Sequence, residues 1–338
     1  MVLALVVLVV ALWLARTVVL VLFAGCLIAV LLDSVARGVR RVLPVPRRLG
    51  VSLGFGLLVL VMAAAAALFG TQVAAQADEL AGLVPQALDR LRDVLQPLGI
   101  SGLVPSITFG HEDQTAAEAV QRAGSIVASG MVLLEGGARV LLLGLVALFT
   151  GLFLALDPDV YRNGFLRLFP RRRRGRLGEV LDRLARDLAV WLRTQLLVML
   201  FVGVACGLGV YMLGVPLAPF LGLIAGLFEF VPVVGPIAAS IPAILVGLTI
   251  DPWTAVYVGL LYLAVNQIEG LWLVPVLQEK ALALPAAATL VGVVLFGTLL
   301  GFLGVLLAVP LLLVLTVTVR MLYIEDILEH DGDSGPWA

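Results

Sequence analysis

Unbroken apolar segments long enough to cross a bilayer recur along this chain, and nothing else in it constrains the fold as strongly. Gly50–Gly70 and Leu196–Leu213 are two of them, and a helix needs about 20 apolar residues to traverse the hydrocarbon core. Lipid supplies no hydrogen bonds, so every backbone amide and carbonyl must be paired within the protein, which a continuous helix does by itself. A membrane β-barrel would show alternation over about 10 residues per strand, and the Leu-, Val- and Ala-rich runs here do not alternate. Composition agrees: 62% of residues are hydrophobic and 13% charged, against roughly 45–50% and about 25% in soluble domains. The sequence therefore specifies an all-α, polytopic integral membrane protein of the cell (inner or plasma) membrane.

The runs divide the chain. Residues 1–70 form an N-terminal set of membrane helices, opening with two short apolar stretches, Met1–Ala15 and Thr17–Leu32, split by Arg16. These read as two short helices or a tight hairpin; a signal peptide is the competing reading, but the stretch lacks a basic start and an obvious cleavage site. Residues 71–135 are the least apolar long region and read as a small helical extracytoplasmic insert, with Leu80, Val84, Leu88, Leu91, Leu95 and Leu98 at helical spacing. Residues 136–160 hold a further span, Val140–Leu156, stopped by Asp157-Pro158. Residues 161–193 form a basic segment whose stripe Leu177, Leu181, Leu184, Leu188 and Trp191 predicts an amphipathic helix at the membrane surface that runs into the next span. Residues 194–324 form the C-terminal core, and 325–338 an acidic tail.

Charge placement orients the chain. Fifteen of the 22 basic residues fall in segments 37–48 and 162–193. The positive-inside rule places both in the cytoplasm. Two spans separate them, so the placements agree, and 72–130 then lies outside.

Within the core, two stretches are too long for one ordinary span. Pro219–Ile250 contains Pro232, Pro236 and Pro242, and predicts two short helices interrupted around Val231–Pro236, broken or re-entrant. Ala281–Arg320 predicts a pair of helices turning near Gly297–Gly304. Trp253–Val265 predicts a short span between them. Three G-x-x-x-G pairs, Gly203–Gly207, Gly222–Gly226 and Gly297–Gly301, allow close helix approach.

Carboxylates inside such sequence are costly and point to function. Glu229 sits in L-F-E-F-V-P-V-V-G-P and Glu269 in N-Q-I-E-G-L-W-L-V-P, both beside helix breakers. Interrupted membrane helices expose backbone groups where transporters place ions and substrates. Glu229, Glu269, Gln267 and Asn266 are therefore candidate solute- or ion-binding residues, with Arg193 and Gln195 at the start of the fifth span. Pro232, Gly235, Pro236, Gly270, Pro275, Gly304 and Pro310 are candidate hinges or helix breaks. Exposed polar groups in an interfacial loop are the competing reading for both carboxylates, and Arg193 also reads as an interface anchor.

Enzyme signatures are absent. There is no H-E-x-x-H and no G-x-x-x-x-G-K-[ST], and the only histidines, His111 and His330, lie outside the apolar runs. Cys26 and Cys206 sit inside apolar runs and read as small core residues. The sequence calls for no cofactor, no metal and no nucleic acid.

Taken together, Arg193–Gln195 with Leu196, Glu229-Phe230-Val231-Pro232 with Gly235-Pro236, Gln267, Glu269-Gly270 and Pro275, and Gly304 with Ala308-Val309-Pro310 make the chain resemble the AI-2E, or PerM-like, family of membrane transporters over nearly its whole length. The resemblance implies a multi-span secondary transporter. Within the family, that means export of a small polar solute such as autoinducer-2 or exchange of sodium or lithium for protons. It also implies a homo-oligomer, described as pentameric, with an elevator-like movement. One departure follows Pro275: Glu279 precedes Lys280 where the family commonly has glycine. A membrane scaffold that binds a partner through the outer insert is the alternative, and a channel the third reading.

Overall fold

The second apolar run does not stop at its basic flank. In the computed structural model, which describes residues 15–42, 45–64, 142–277 and 285–328 and a few positions between 79 and 90, helix α1 runs Arg16–Val42 and carries Arg37, Arg40 and Arg41 on its last turns. It ends just before Pro44 and Pro46, whose fixed φ and missing N–H oppose its continuation. Residues 1–14 and nearly all of the 71–135 insert lie outside the described residues, as do Glu279, Lys280 and both histidines. The described residues are helical and contain no strand. Five helices among them are long and apolar enough to cross a membrane.

The chain packs into two units: Met1–Leu60, Gly144–Leu196 and Pro275–Ala338 form the first, and Val61–Leu143 with Leu197–Val274 the second. In the first, α1 packs with α2 (Arg47–Ala64) and α3 (Leu142–Leu156) around Leu32, Ala36, Val51 and Ala155. At Asp157 the chain bends by 91° into α4, Pro158–Arg167. This short helix leaves Val160, Phe165 and the following Leu168 exposed beside Arg162 and Arg167. A short helix perpendicular to a span, with an apolar and a basic side, has the pattern of an interfacial helix.

The amphipathic part of 161–193 and the next span form one helix. Arg171–Met212 is one continuous helix, α5, of 42 residues, about 63 Å long at 1.5 Å per residue. That is roughly twice the hydrocarbon thickness, so its basic first half continues beyond the bilayer. The stripe of Leu177 to Trp191 is a protein-packing face: Leu188 and Trp191 are buried and Leu177, Leu181 and Leu184 half-buried. Amphipathicity alone does not distinguish a face packed on protein from one packed on lipid.

Both basic segments meet in the first unit. Arg47 and Arg37 pair with Asp33, Arg48 pairs with Asp157 at 2.7 Å, and Arg162 pairs with Asp182 at 2.8 Å. They therefore share one membrane side, in agreement with the charge rule. In a background lacking Cys26 and Cys206, single cysteines at Arg48 and Arg171 should label from the cytoplasm and one at Asp89 from outside. Labelling of positions 171 and 89 from the same side would refute this topology.

The C-terminal pair of this unit is α9, Ala286–Leu300, and α11, Ala308–Val319, joined through α10, Phe302–Leu306. The chain turns at Gly301, whose φ of 72° is cheap only for glycine, inside the expected Gly297–Gly304 window. A π-helical continuation, Arg320–Leu328, brings Glu325 and Asp326 onto Arg176, at 2.9 and 2.8 Å.

In the second unit, Pro219–Ile250 forms two helices, α6 (Ala218–Phe228) and α7 (Val234–Ile250), interrupted at Glu229–Val233. Two of the glycine pairs are each other's partners: a Cβ at Gly222 would lie 2.7 Å from the Gly203 carbonyl oxygen and from the Gly207 Cα. The helices thus touch backbone to backbone. Helix α8, Pro252–Ile268, follows, capped by Asp251, which accepts hydrogen bonds from the Trp253 and Thr254 amides at 2.8 and 3.0 Å. The Thr254 hydroxyl also donates to it, and these bonds hold the Asp251 carboxyl below the usual carboxylate range.

Candidate functional site

The break between α6 and α7 begins at the carboxylate singled out from sequence. Helix α6 ends at Phe228, and the Glu229 amide still donates to the Ala225 carbonyl at 3.1 Å. Pro232 then has no N–H to extend the ladder. Val233 takes φ 71°, ψ −52°, a conformation that is a genuine outlier for a β-branched residue. Such strain persists only where surrounding packing enforces it, and it gathers at functional sites. Gly235 closes the loop, its amide donating to the Val231 carbonyl at 2.8 Å. It is buried so tightly that a Cβ there would overlap the Phe228 carbonyl. The break is therefore a packed corner that aims Glu229 inward; this side chain is only 2% exposed.

Glu269 reaches the same place from another helix. Its side chain is half-buried and lies within interaction range of that of Glu229. Two acidic groups from segments 40 positions apart in sequence thus come near each other, Glu229 buried and Glu269 half-buried.

Two residues that sequence reasoning left aside complete the cluster. Cys206, 1% exposed, lies within electrostatic range of Glu229, and Tyr262, 3% exposed, lies within range of Cys206. The Tyr262 hydroxyl donates to the Leu221 carbonyl at 3.5 Å. A signal for Tyr262 was present: Tyr262, Asn266 and Glu269 fall at i, i+4 and i+7, one helical face. No comparable signal marks Cys206, because its neighbours come from other helices.

The other candidates are placed differently. The Asn266 amide donates to the Tyr262 carbonyl of its own helix at 3.0 Å, and Gln267 is exposed. Arg193 and Gln195 belong to the first unit; the Arg193 Nε donates to the Ala189 carbonyl at 2.9 Å, and Gln195 is buried. Gly270 and Pro275 do not break the helix, contrary to expectation. A π-helical turn, Glu269–Leu273, carries α8 into Val274–Leu277, giving a span of 26 residues from Pro252. In that wider turn the Val274 amide bonds to the Glu269 carbonyl, which relieves the crowding that Pro275 would impose on a regular α-turn. Pro236 and Pro310 lie in the first turns of α7 and α11, where a missing N–H is harmless, and Gly304 is buried within α10. No metal-ligating cluster occurs among the described residues.

Comparison with known proteins gives this site its context. The chain is 26% identical over 301 residues to "Putative transport protein YueF" of Bacillus subtilis, covering 86% of this chain and 81% of that one. It is 27% identical over 295 residues to "Putative transport protein" of Thermotoga maritima, covering 87% of each. A shorter stretch of 164 residues, 47% of this chain and 45% of the other, is 29% identical to "Putative permease PerM" of Escherichia coli. The family model for the AI-2E family transporter matches residues 2–324. The chain accordingly belongs to the AI-2E transporter family and is a multi-pass transport protein of the cell membrane.

Proposed function

We propose that this protein is a secondary carrier in which Glu229 and Glu269 form the binding pair for the moving species. The cargo is either a small polar solute of the autoinducer-2 kind, exported at the expense of an ion gradient, or a cation such as sodium or lithium exchanged for protons. The observation that carries the reading is the meeting of two carboxyl groups at a helix interruption inside a membrane protein. Ion and substrate sites of transporters occupy such interruptions, and a purely structural role would be served more cheaply by apolar residues. In this reading a proton carried by the pair is what an arriving cation or solute donor would displace. Because Glu229 is almost fully buried, access requires the strained corner at Val233 to move.

Purified protein in liposomes, tested against small polar solutes and against sodium and lithium with and without a pH gradient, should show flux that depends on the gradient. No flux for any of these, together with a stable co-purifying protein partner, would favour a scaffold instead. The working unit is proposed to be a homo-oligomer, so native mass spectrometry should give a multiple of the 35.7 kDa chain, with five copies implied by the family resemblance.

A further inference from the structure

The basic end of the first unit contains a second site that transport does not account for. A cavity of about 380 Å³ opens there, with apolar walls from Ala29, Val30, Leu154 and Pro158, and with Arg37, Arg47 and Arg186 at its rim. Its acidic lining, Asp33 and Asp182, is already engaged. Arg37 and Arg47 share Asp33, each at 3.0 Å, and Arg162 takes Asp182 at 2.8 Å. Arg186 has no ion-pair partner among the described residues. Three lining guanidiniums thus face two carboxylates, one of which is already taken by Arg162 from outside the lining, so the cavity keeps a positive excess. A guanidinium fork matches phosphate oxygens in shape and charge.

The level of the cavity in the membrane decides the source of that phosphate. The walls come from α1 and α3 where they reach the basic side, and Pro158 opens the interfacial helix α4, which turns 91° from α3. Exposed Val160, Phe165 and Leu168 fix this plane at the boundary between headgroups and acyl chains. A cationic rim over apolar helix walls, at headgroup depth on the side with most basic residues, is complementary to an anionic lipid of the inner leaflet.

We propose that this cavity binds the phosphate headgroup of one anionic phospholipid from the cytoplasmic leaflet, with its acyl chain along the α1–α3 wall. The probe pair is phosphatidylglycerol and phosphatidylcholine with identical acyl chains, added to the full-length protein and followed by native mass spectrometry. Retention of phosphatidylglycerol should exceed that of phosphatidylcholine by at least about fivefold, the effect of one interfacial arginine. Arg186→Ala should bring the ratio close to one. Ala185→Glu should do the same by adding a carboxylate at an exposed lining position while leaving every ion pair intact. Both substitutions are at exposed positions, so oligomer mass and melting temperature should stay at wild-type values. If Arg186→Ala does not fold, Ala185→Glu decides alone. Glycerol phosphate, which carries the headgroup chemistry without chains, should not displace the lipid. Equal retention of the two lipids by the wild type, an unchanged ratio in either folded variant, or full displacement by glycerol phosphate would each overturn the proposal, the last by assigning the site to a soluble phosphate.

Discussion

Replacing Glu229 by Gln should reduce flux at least about tenfold, equivalent to losing roughly 1.4 kcal/mol of interaction with the transported species, while the protein folds and assembles as before. Gln keeps the shape of the acid and can both donate and accept hydrogen bonds, so the packing of the corner can survive. What disappears is the ability to release a proton and present a negative charge. Glu269→Gln should act in the same direction. The larger effect is expected at Glu229, because this side chain is nearly fully buried and Glu269 only half so. The two side chains interact with each other, so their effects should not add. Normal flux in both variants, at matched protein in liposomes, would remove the carrier role from the pair. Lower yield or altered assembly with normal flux per molecule would make them structural anchors.

The second large effect is expected at Gly235. An alanine Cβ there would overlap the Phe228 carbonyl, and backbone cannot yield as a flexible side chain does. Overpacking of this kind typically costs about 1–3 kcal/mol. The strain falls on the corner that holds Glu229, so Gly235→Ala should lower the melting temperature and abolish flux together. Gly56→Ala is the matched control, since nothing lies within 4 Å of a Cβ at that position on α2. In a helix interior that change should be neutral or stabilising by up to about 1 kcal/mol. Equal behaviour of the two variants would show that the corner is not packed as described.

What was legible in the sequence follows from which forces act locally. Pro232 has no amide hydrogen and Gly301 has no Cβ, so the break after Phe228 and the turn between α9 and α11 could be read directly. Long apolar runs defined the spans for the same reason. Pro275 misled because a π-helical turn, a cooperative adjustment of several backbone groups, accommodates it without interruption. The stripe from Leu177 to Trp191 misled because its apolar face buries against protein, which periodicity cannot tell from lipid. The carboxylates were visible one at a time through their unfavourable surroundings. Their pairing was not, since no local rule connects Glu229 to Glu269, and Cys206 joined the cluster for the same non-local reason.

The central claim is that the Glu229–Glu269 pair exchanges a proton for the transported species, and proton release on binding tests it most directly. Sodium, lithium or a solute found to be carried is added to purified protein in weakly buffered detergent, and the pH is followed with an indicator dye. The wild type should release up to one proton per chain, saturating with the ligand, and the Glu229→Gln/Glu269→Gln double variant should release none. Equal release from both proteins, or no release from the wild type with a ligand whose flux is driven by a pH gradient, would contradict it.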